Sequence, residues 1–588
     1  MSIPSSLIPL FNSGSSGGAL QVSRSLRFNS ADSAYLSKVF AVSGNRRTWT
    51  LSAWVKRSDL GVIQRIFSTS NSGNTEGFYC EINSANTLDL YDYSVPTIIW
   101  QKTTTQVFRD VGAWFHLQVT FDSTNATADN RVNVYVNGIV ISTFSTSSNP
   151  SSNYESYWNA VRVHAIGRTG NLDAAYFSGY LANIHFIDGQ ALTPASFAET
   201  DATTGQWIPK AFSGGSYGTN GFYLQFADNS SNTASTLGKD YSGLGNNWTP
   251  NNFSVGSSNT TIWSNYVTAS TGSFYPGNVA SNLFDVNLSN IVDANSTSGT
   301  VTFTPPSTIA YSSKVEILQG SQTASYTLTR GDNTTATITS TSNSWSTLTT
   351  GSGSIKSISS TGTGNYNNWC AIRVDDVILY DPSAAGIAND SLIDSPTNGS
   401  QTDTGVGGEV RGNYATLNPL NNPGGSTLSN GNLDCVTSSS LNGRVVSTIA
   451  VSSGKWYWEM LATNIATDLM VGISAASETT ATTIPTSATT YLYDSYYGDK
   501  WNNGSHSAYG ATYTTNDVIG VALNLDAGTL VFYKNGTSQG TAYSSLSGTF
   551  VAAFADGGTG TSAFTANFGQ RAFAYTAPSG FKALCTQN

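Results

Sequence analysis

The chain has 588 residues, of which 39% are apolar, 12% aromatic and only 11% charged, with a net charge of −10 at pH 7. An ordinary soluble domain carries about 25% charged residues; here Ser, Thr, Asn and Gly replace them while aromatics stay abundant, which excludes a disordered chain. No Lys/Arg cluster relieves the acidic balance, which excludes nucleic-acid binding through phosphates, and no apolar run is long enough to span a bilayer.

The opening MSIPSSLIPLFNSGSSGG has no basic stretch, and Pro4 and Pro9 interrupt its apolar run, so it does not read as a signal peptide. Leu7, Ile8, Leu10 and Phe11 are too few to fold alone and too apolar to idle in water. Residues 1–22 are therefore expected to be an anchoring segment that orders on a partner.

From residue 23 the texture is that of short strands with one buried face. RSLRFNSADSAYLSK and TWTLSAWVKRS alternate apolar and polar residues, GFYCEINSANTLDLYDY reads as a pair of strands, and AWFHLQVTFD leads to VNVYVNGIV at 132–140. Asn-Gly tolerates positive φ at both central positions and closes a two-residue hairpin. Two more strands and a short helical turn follow in AIGRTGNLDAAYFSGYLANIHFIDGQALTPASFAE. This order resembles a concanavalin A-like, laminin-G-type jelly roll over residues 23–252. The resemblance rests on Trp114, His116, Thr120, Phe121 and Asp122, on the Tyr135 to Gly138 hairpin, on Gly179, Leu181 and Ile184, and on Ala191, Leu192 and Thr193. Members that hold calcium often carry an acid after that glycine, where this chain has Ala182 and Asn183. No metal is expected; Asp32 and the oxygen-rich loop beginning at Asp122 are the weak candidates.

Residues 253–385 contain GTVTFTPP, SKVEILQG, ASYTLTRGDN, IKSISSTG and WCAIRVDDVILYDP, the strands of a smaller sandwich, with Pro305 and Pro306 marking a strand exit. Residues 386–420 lack periodicity and read as an extended linker or a chain laid over a sheet. Within 421–588, Trp456 and Trp458 after Gly-Lys, Val471-Gly472-Ile473, the run from Asp517 to the Asn535-Gly536 hairpin, and Asn567-Phe568-Gly569-Gln570 resemble a SPRY domain. Its TLVFYKNGT, at 529–537, nearly repeats the first hairpin. Nothing flanking the two copies matches, so they read as one good turn used twice. The fold class is all-β, a multi-domain chain of antiparallel β-sandwiches.

Candidate chemistry is sparse. Cys80, Cys370, Cys435 and Cys585 are scattered with no C-x-x-C spacing, and read as buried unpaired thiols. GGSYG at 214–218 fits G-x-S-x-G but lacks the strand, helix and partnering His of a nucleophile elbow, and the Arg330-Gly331-Asp332 triplet reads as a hairpin turn. Glu81, Glu155, Glu199, Glu316 and Glu459 are isolated, and Asp375 and Asp376 fall on opposite faces of a strand, so no hydrolytic carboxylate pair is legible. No catalysis and no cofactor are expected. Tyr491, Tyr493, Tyr496, Tyr497, Trp501 and Tyr509 are crowded among small polar residues. Such aromatics either offer stacking faces to sugars or partner loops, or fill the sandwich. Tyr493, Tyr496, Tyr497 and Trp501, with Trp100 as a weaker addition, are the candidate ligand residues.

A charge-poor chain of concanavalin-like, small and SPRY-like sandwiches resembles the modular virion proteins of tailed bacteriophages, marine phages in particular, whose members often open with an IPSSLIPLF-like segment. The resemblance implies a tail fibre or tail-associated receptor-binding protein, assembled in the host bacterial cytoplasm. Its partners would be other virion proteins, docked through the opening segment, and a host surface glycan or receptor. It would be a homo-oligomer, with a trimer favoured, and not inserted in a membrane. The alternatives are a capsid-decorating or tail-stabilising protein and, from a different class, a polysaccharide-degrading enzyme.

Overall fold

Alternating residues throughout the chain give strands with one apolar face, and the computed structural model pairs them into antiparallel sheets stacked face to face. The structure describes residues 20–202, 204–255, 263–285, 288–362, 364, 366–375, 377–379, 389–396, 411–438, 444–478, 487–558 and 560–588. The expected attachment residues Leu7, Ile8, Leu10 and Phe11 lie outside them. The chain divides into two compact units: one takes in the chain up to Ala227, Leu237–Phe253 and Ser391–Asn588, the other Asp228–Thr236 and Ser254–Asp390.

The first unit holds two sandwiches. In the amino-terminal one, the strand Thr48–Arg57 lies between Phe115–Asp122 and Gly179–Asp188 in an 8-stranded sheet. The facing 8-stranded sheet is built on Gln64–Ser70, Glu76–Ile82, Thr87–Ser94 and Thr97–Val107, paired in that order. Aromatic rings fill the space between. Trp49 stacks on Phe121 at 5.0 Å and meets Phe78 edge-on at 5.5 Å, and Trp158 meets Phe78 and Phe186 at 5.5 and 5.7 Å. Trp100, expected as a ligand residue, belongs to this core: it is 0% exposed and lies 5.8 Å from Phe121. Its position on the strand puts it in phase with the inward residues, so no face of the indole reaches solvent.

The carboxy-terminal sandwich centres on Lys455–Asn464, flanked by Val518–Asn524 and Ala563–Asn567. A 6-stranded sheet, with Phe550–Asp556 between Arg444–Val451 and Leu469–Ala475, covers it. Trp458, Met460, Phe532, Phe554 and Phe564 form its core.

The described residues of the segment before the carboxy-terminal sandwich, 391–396 and 411–420, are built into the unit. The strand Ser391–Leu392 extends the amino-terminal sheet by pairing with Ser25–Phe28. Two residues on, the fully buried Asp394 accepts hydrogen bonds from Lys56 Nζ at 2.9 Å and from Trp114 Nε1 at 2.9 Å. Lys56 Nζ also donates to Asn413 Oδ1 and to the Tyr414 carbonyl, at 2.7 and 2.8 Å. Tyr180 donates to the Gly431 carbonyl at 2.6 Å, and Asn432 Nδ2 to the Ser58 carbonyl at 3.0 Å. A buried ion pair is tolerated only when its remaining hydrogen-bonding capacity is met, and here it is.

The second unit is a smaller sandwich of a 6-stranded and a 4-stranded sheet around Phe303, Ile317, Tyr326 and Trp369. The strand Thr300–Phe303 ends just before Pro305, as the proline pair predicts. Arg330 of the Arg-Gly-Asp triplet is tied to Tyr311 and Thr349 at 2.9 and 2.7 Å, and Asp332 closes the turn on the Thr334 amide at 3.0 Å.

Candidate functional site

Phase decides what the strands Glu76–Ile82 and Thr87–Ser94 show to each side. Phe78, Cys80 and Ile82, with Leu88 and Leu90, are fully buried toward the core. The opposite phase carries Tyr79 and Glu81 on one strand and Asp89, Tyr91 and Tyr93 on the other. Tyr79 sits directly across from Tyr91, with ring centroids 5.1 Å apart, and Glu81 directly across from Asp89. Facing carboxylates are unfavourable in a sheet unless each finds donors, and each does. Arg65 donates from Nε to Glu81 at 2.7 Å, lays its guanidinium over the Tyr79 ring at 3.9 Å and reaches Thr169 Oγ1 at 2.6 Å. Asp89 accepts from Gln101 Nε2 at 3.0 Å and Thr103 Oγ1 at 2.8 Å. Burial pushes the Glu81 carboxyl up, with Arg65 opposing it, and burial likewise raises the Tyr79 and Tyr91 hydroxyls.

Arg65, Asp89, Gln101, Thr169 and the three tyrosines, but not Glu81, line an open groove of about 440 Å³, within the range of small-ligand sites. Its rims are apolar: Ile98 is 44% and Leu172 48% exposed, and both line it. The Leu172 wall is held in place by Asn74, whose Nδ2 donates to the Asn171 carbonyl at 3.3 Å, and by Ser70, whose Oγ accepts from the Asn171 amide at 2.8 Å. The Tyr91 and Tyr93 rings, with Tyr79 buried under Arg65 beside them, and the preset polar groups form a concavity that can bind a ring with an apolar face and hydroxylated edges. No single residue of this groove is prominent in the sequence. Reading the phase of GFYCEINSANTLDLYDY would have found the tyrosines, but Arg65 and Thr169 arrive through strand order alone.

The aromatic tract of the other sandwich separates into inside and outside. Tyr493, expected to bind ligand, is 0% exposed, packs 5.3 Å from Phe532 and donates its hydroxyl to the Ala511 carbonyl, so it offers no face to a partner. Tyr496 and Tyr497 follow the strand Thr490–Asp494 in a bend; they are 59% and 62% exposed and meet edge-on at 4.6 Å. Trp501 is half-buried, stacks on His506 at 4.3 Å and donates its Nε1 to Asp494. Asp494 also accepts from the Tyr497 and Asp499 amides, which fixes the bend.

Asp32 accepts from Asn29 Nδ2 at 2.7 Å, and Asp122 closes a turn by accepting from the Thr124 amide at 3.1 Å. Among the described residues no group of three or more His, Cys, Asp or Glu is placed to hold a metal ion. All four cysteines are buried and unpaired. Ser52 and His116 form a buried pair at 2.8 Å, but His116 Nδ1 accepts from Trp207 Nε1 at 3.1 Å. The ring proton therefore sits on Nε2 and points at Ser52, the reverse of what a base needs. Burial lowers that histidine to about 3.

Comparison with known proteins agrees with this division. Residues 28–198, which contain the whole groove, match the concanavalin A-like lectin/glucanases superfamily, and residues 455–571 match the SPRY domain. No curated protein matches the chain. Among solved structures, the SPRY domain of human HERC1 is similar at 19% identity, covering 26% of this chain and 96% of that one with a TM-score of 0.24. The protein thus carries a concanavalin A-like, laminin-G-like domain and a SPRY domain, both folds that bind carbohydrates or protein partners.

Proposed function

We propose that the chain is a non-catalytic carbohydrate-binding protein of a tailed-bacteriophage particle, a tail fibre or tail-associated receptor-binding protein whose groove takes a host surface glycan. The observation that carries the binding reading is the Tyr91 and Tyr93 face, backed by the Arg65-covered Tyr79 and bordered by Asp89, in an open groove. Glu81 and Asp89 stand opposite each other, yet each is engaged by neighbouring donors, an arrangement that positions a ligand rather than moves a proton. The virion reading rests on the resemblance of the domain series and the opening segment. On that reading Leu7, Ile8, Leu10 and Phe11 dock on other virion proteins, the assembly is a trimer, and the exposed Tyr496 and Tyr497 are a second contact surface.

Gold-labelled antibody against the chain, imaged on purified particles, tests the location. Label at the tail is expected; label over the capsid replaces the tail reading with a decorating role, and unlabelled particles overturn the virion reading. Incubation with envelope polysaccharide is expected to release no reducing ends. Release that is lost in Glu81→Gln would replace the binding reading with a hydrolase.

A further inference from the structure

Among the described residues one cation lines the groove, and it is already paired. Arg65 faces Glu81 at 2.7 Å, Thr169 at 2.6 Å and Tyr91 at 3.3 Å, with its plane covered by Tyr79. Asp89, 9% exposed, has no such partner: among the described residues it accepts only from the neutral Gln101 and Thr103. Glu81 already neutralises Arg65, so Asp89 brings an uncompensated negative charge to the groove lining, on a chain that is itself at −10. An anionic ligand would meet Asp89 without a free cation to receive it, and like-charge juxtaposition across an interface suppresses wrong partners strongly. A hydroxyl pair, by contrast, finds an acceptor in Asp89 and stacking faces in Tyr91 and Tyr93. The rims point the same way, since Ile98 and Leu172 would desolvate a charged substituent without repaying it.

Resting on the proposal that the groove binds glycan, we infer that it selects uncharged sugar rings and excludes uronate, sulfate and phosphate substituents, with Asp89 as the specificity-determining residue.

The test uses the full chain against immobilised neutral glucans, galactans and mannans and their carboxylated and sulfated counterparts. Binding to at least one neutral polymer is expected, reduced at least tenfold in Tyr91→Ala and in the milder Tyr93→Ala. The matched anionic polymer is expected to bind at least tenfold more weakly, and Asp89→Asn, nearly identical in shape, to close most of that gap. A gap that Asp89→Asn leaves unchanged, or groove-dependent binding that favours the anionic polymer, overturns the inference and leaves the groove a glycan site. Binding to no polymer, or binding that neither tyrosine variant weakens, overturns the glycan reading itself.

Discussion

The hairpins at 132–140 and 529–537 have the same turn and the same clamp, and differ in what surrounds them. In both, Asn and Gly take positive φ, +50° and +78° in the first and +48° and +77° in the second. In both, the asparagine grips the start of the preceding strand twice. Asn137 accepts from the His116 amide at 2.8 Å and donates its own amide to the His116 carbonyl at 2.9 Å; Asn535 does the same with Val518, at 2.8 and 2.9 Å. Both glycines lie under an aromatic ring. A Cβ at Gly138 would come 2.8 Å from Trp207, and one at Gly536 would come 2.6 Å from Tyr575. The roofs are held differently: Trp207 hangs on the buried His116–Ser52 pair, whereas the Tyr575 amide is fixed by the buried Glu459 at 3.0 Å. After the turn, the first copy returns as only Ile139–Val140, the second as Thr537–Tyr543. A tight turn and its clamp are local devices that any antiparallel pair can reuse, while the ring above the turn is contributed by chain far away. The repetition is therefore chemical, not evidence that one domain copied the other.

The comparison breaks most severely at the junction. Lys56→Met leaves Asp394 buried without its cation, a loss of about 3–5 kcal/mol. Because Lys56 and Asp394 hold the amino-terminal sandwich to Tyr414, which itself bridges Cys585 of the carboxy-terminal one, one shared thermal transition should move down; loss confined to the amino-terminal sandwich would make them independent. Next comes pH. Burial pushes Asp92 of the first sandwich up to about 7, and Glu459 and Asp468 of the second up to about 7 and about 6. Raised acids bind more protons folded than unfolded, so their stabilising effect is complete below about pH 4 and is lost as pH rises toward 7. Tm is expected to fall across that window by an amount on the order of a few kcal/mol in stability, and Asp92→Asn and Glu459→Gln should each flatten the profile. A profile that rises from pH 4 to 7 contradicts the assignment.

Smaller effects sharpen the match between the two turns. Gly138→Val and Gly536→Val combine positive-φ strain with displacement of the overlying ring, a cost of about 2–4 kcal/mol each. Chemical denaturation should give the two within about 1 kcal/mol of each other, given the same strain in both; a much milder Gly536→Val would mean that Tyr575 swings aside and Trp207 does not. Asn137→Ala and Asn535→Ala remove only the clamp and leave one backbone amide without its acceptor, about 1–2 kcal/mol each. Amide hydrogen exchange at His116 and Val518 reads this directly, and unchanged protection at either would deny that the side chain holds it.

Period-2 alternation and Asn-Gly chemistry were enough to read the all-β class, the strands of each sandwich and both turns, because these depend on a residue and its near neighbours. Pro305 as a strand exit and the Asp332 turn are of the same kind. Alternation also states which residues share a face, but not which face meets a core. For that reason Trp100 and Tyr493 looked available and are buried, while Tyr79, Tyr91 and Tyr93 drew no notice and line the groove. Strand order, set by the packing of two whole sheets, brought Arg65 and Thr169 to those tyrosines. Long-range burial, not any local pattern, turned a segment without periodicity into the Ser391–Leu392 strand and the Asp394 lock on Lys56.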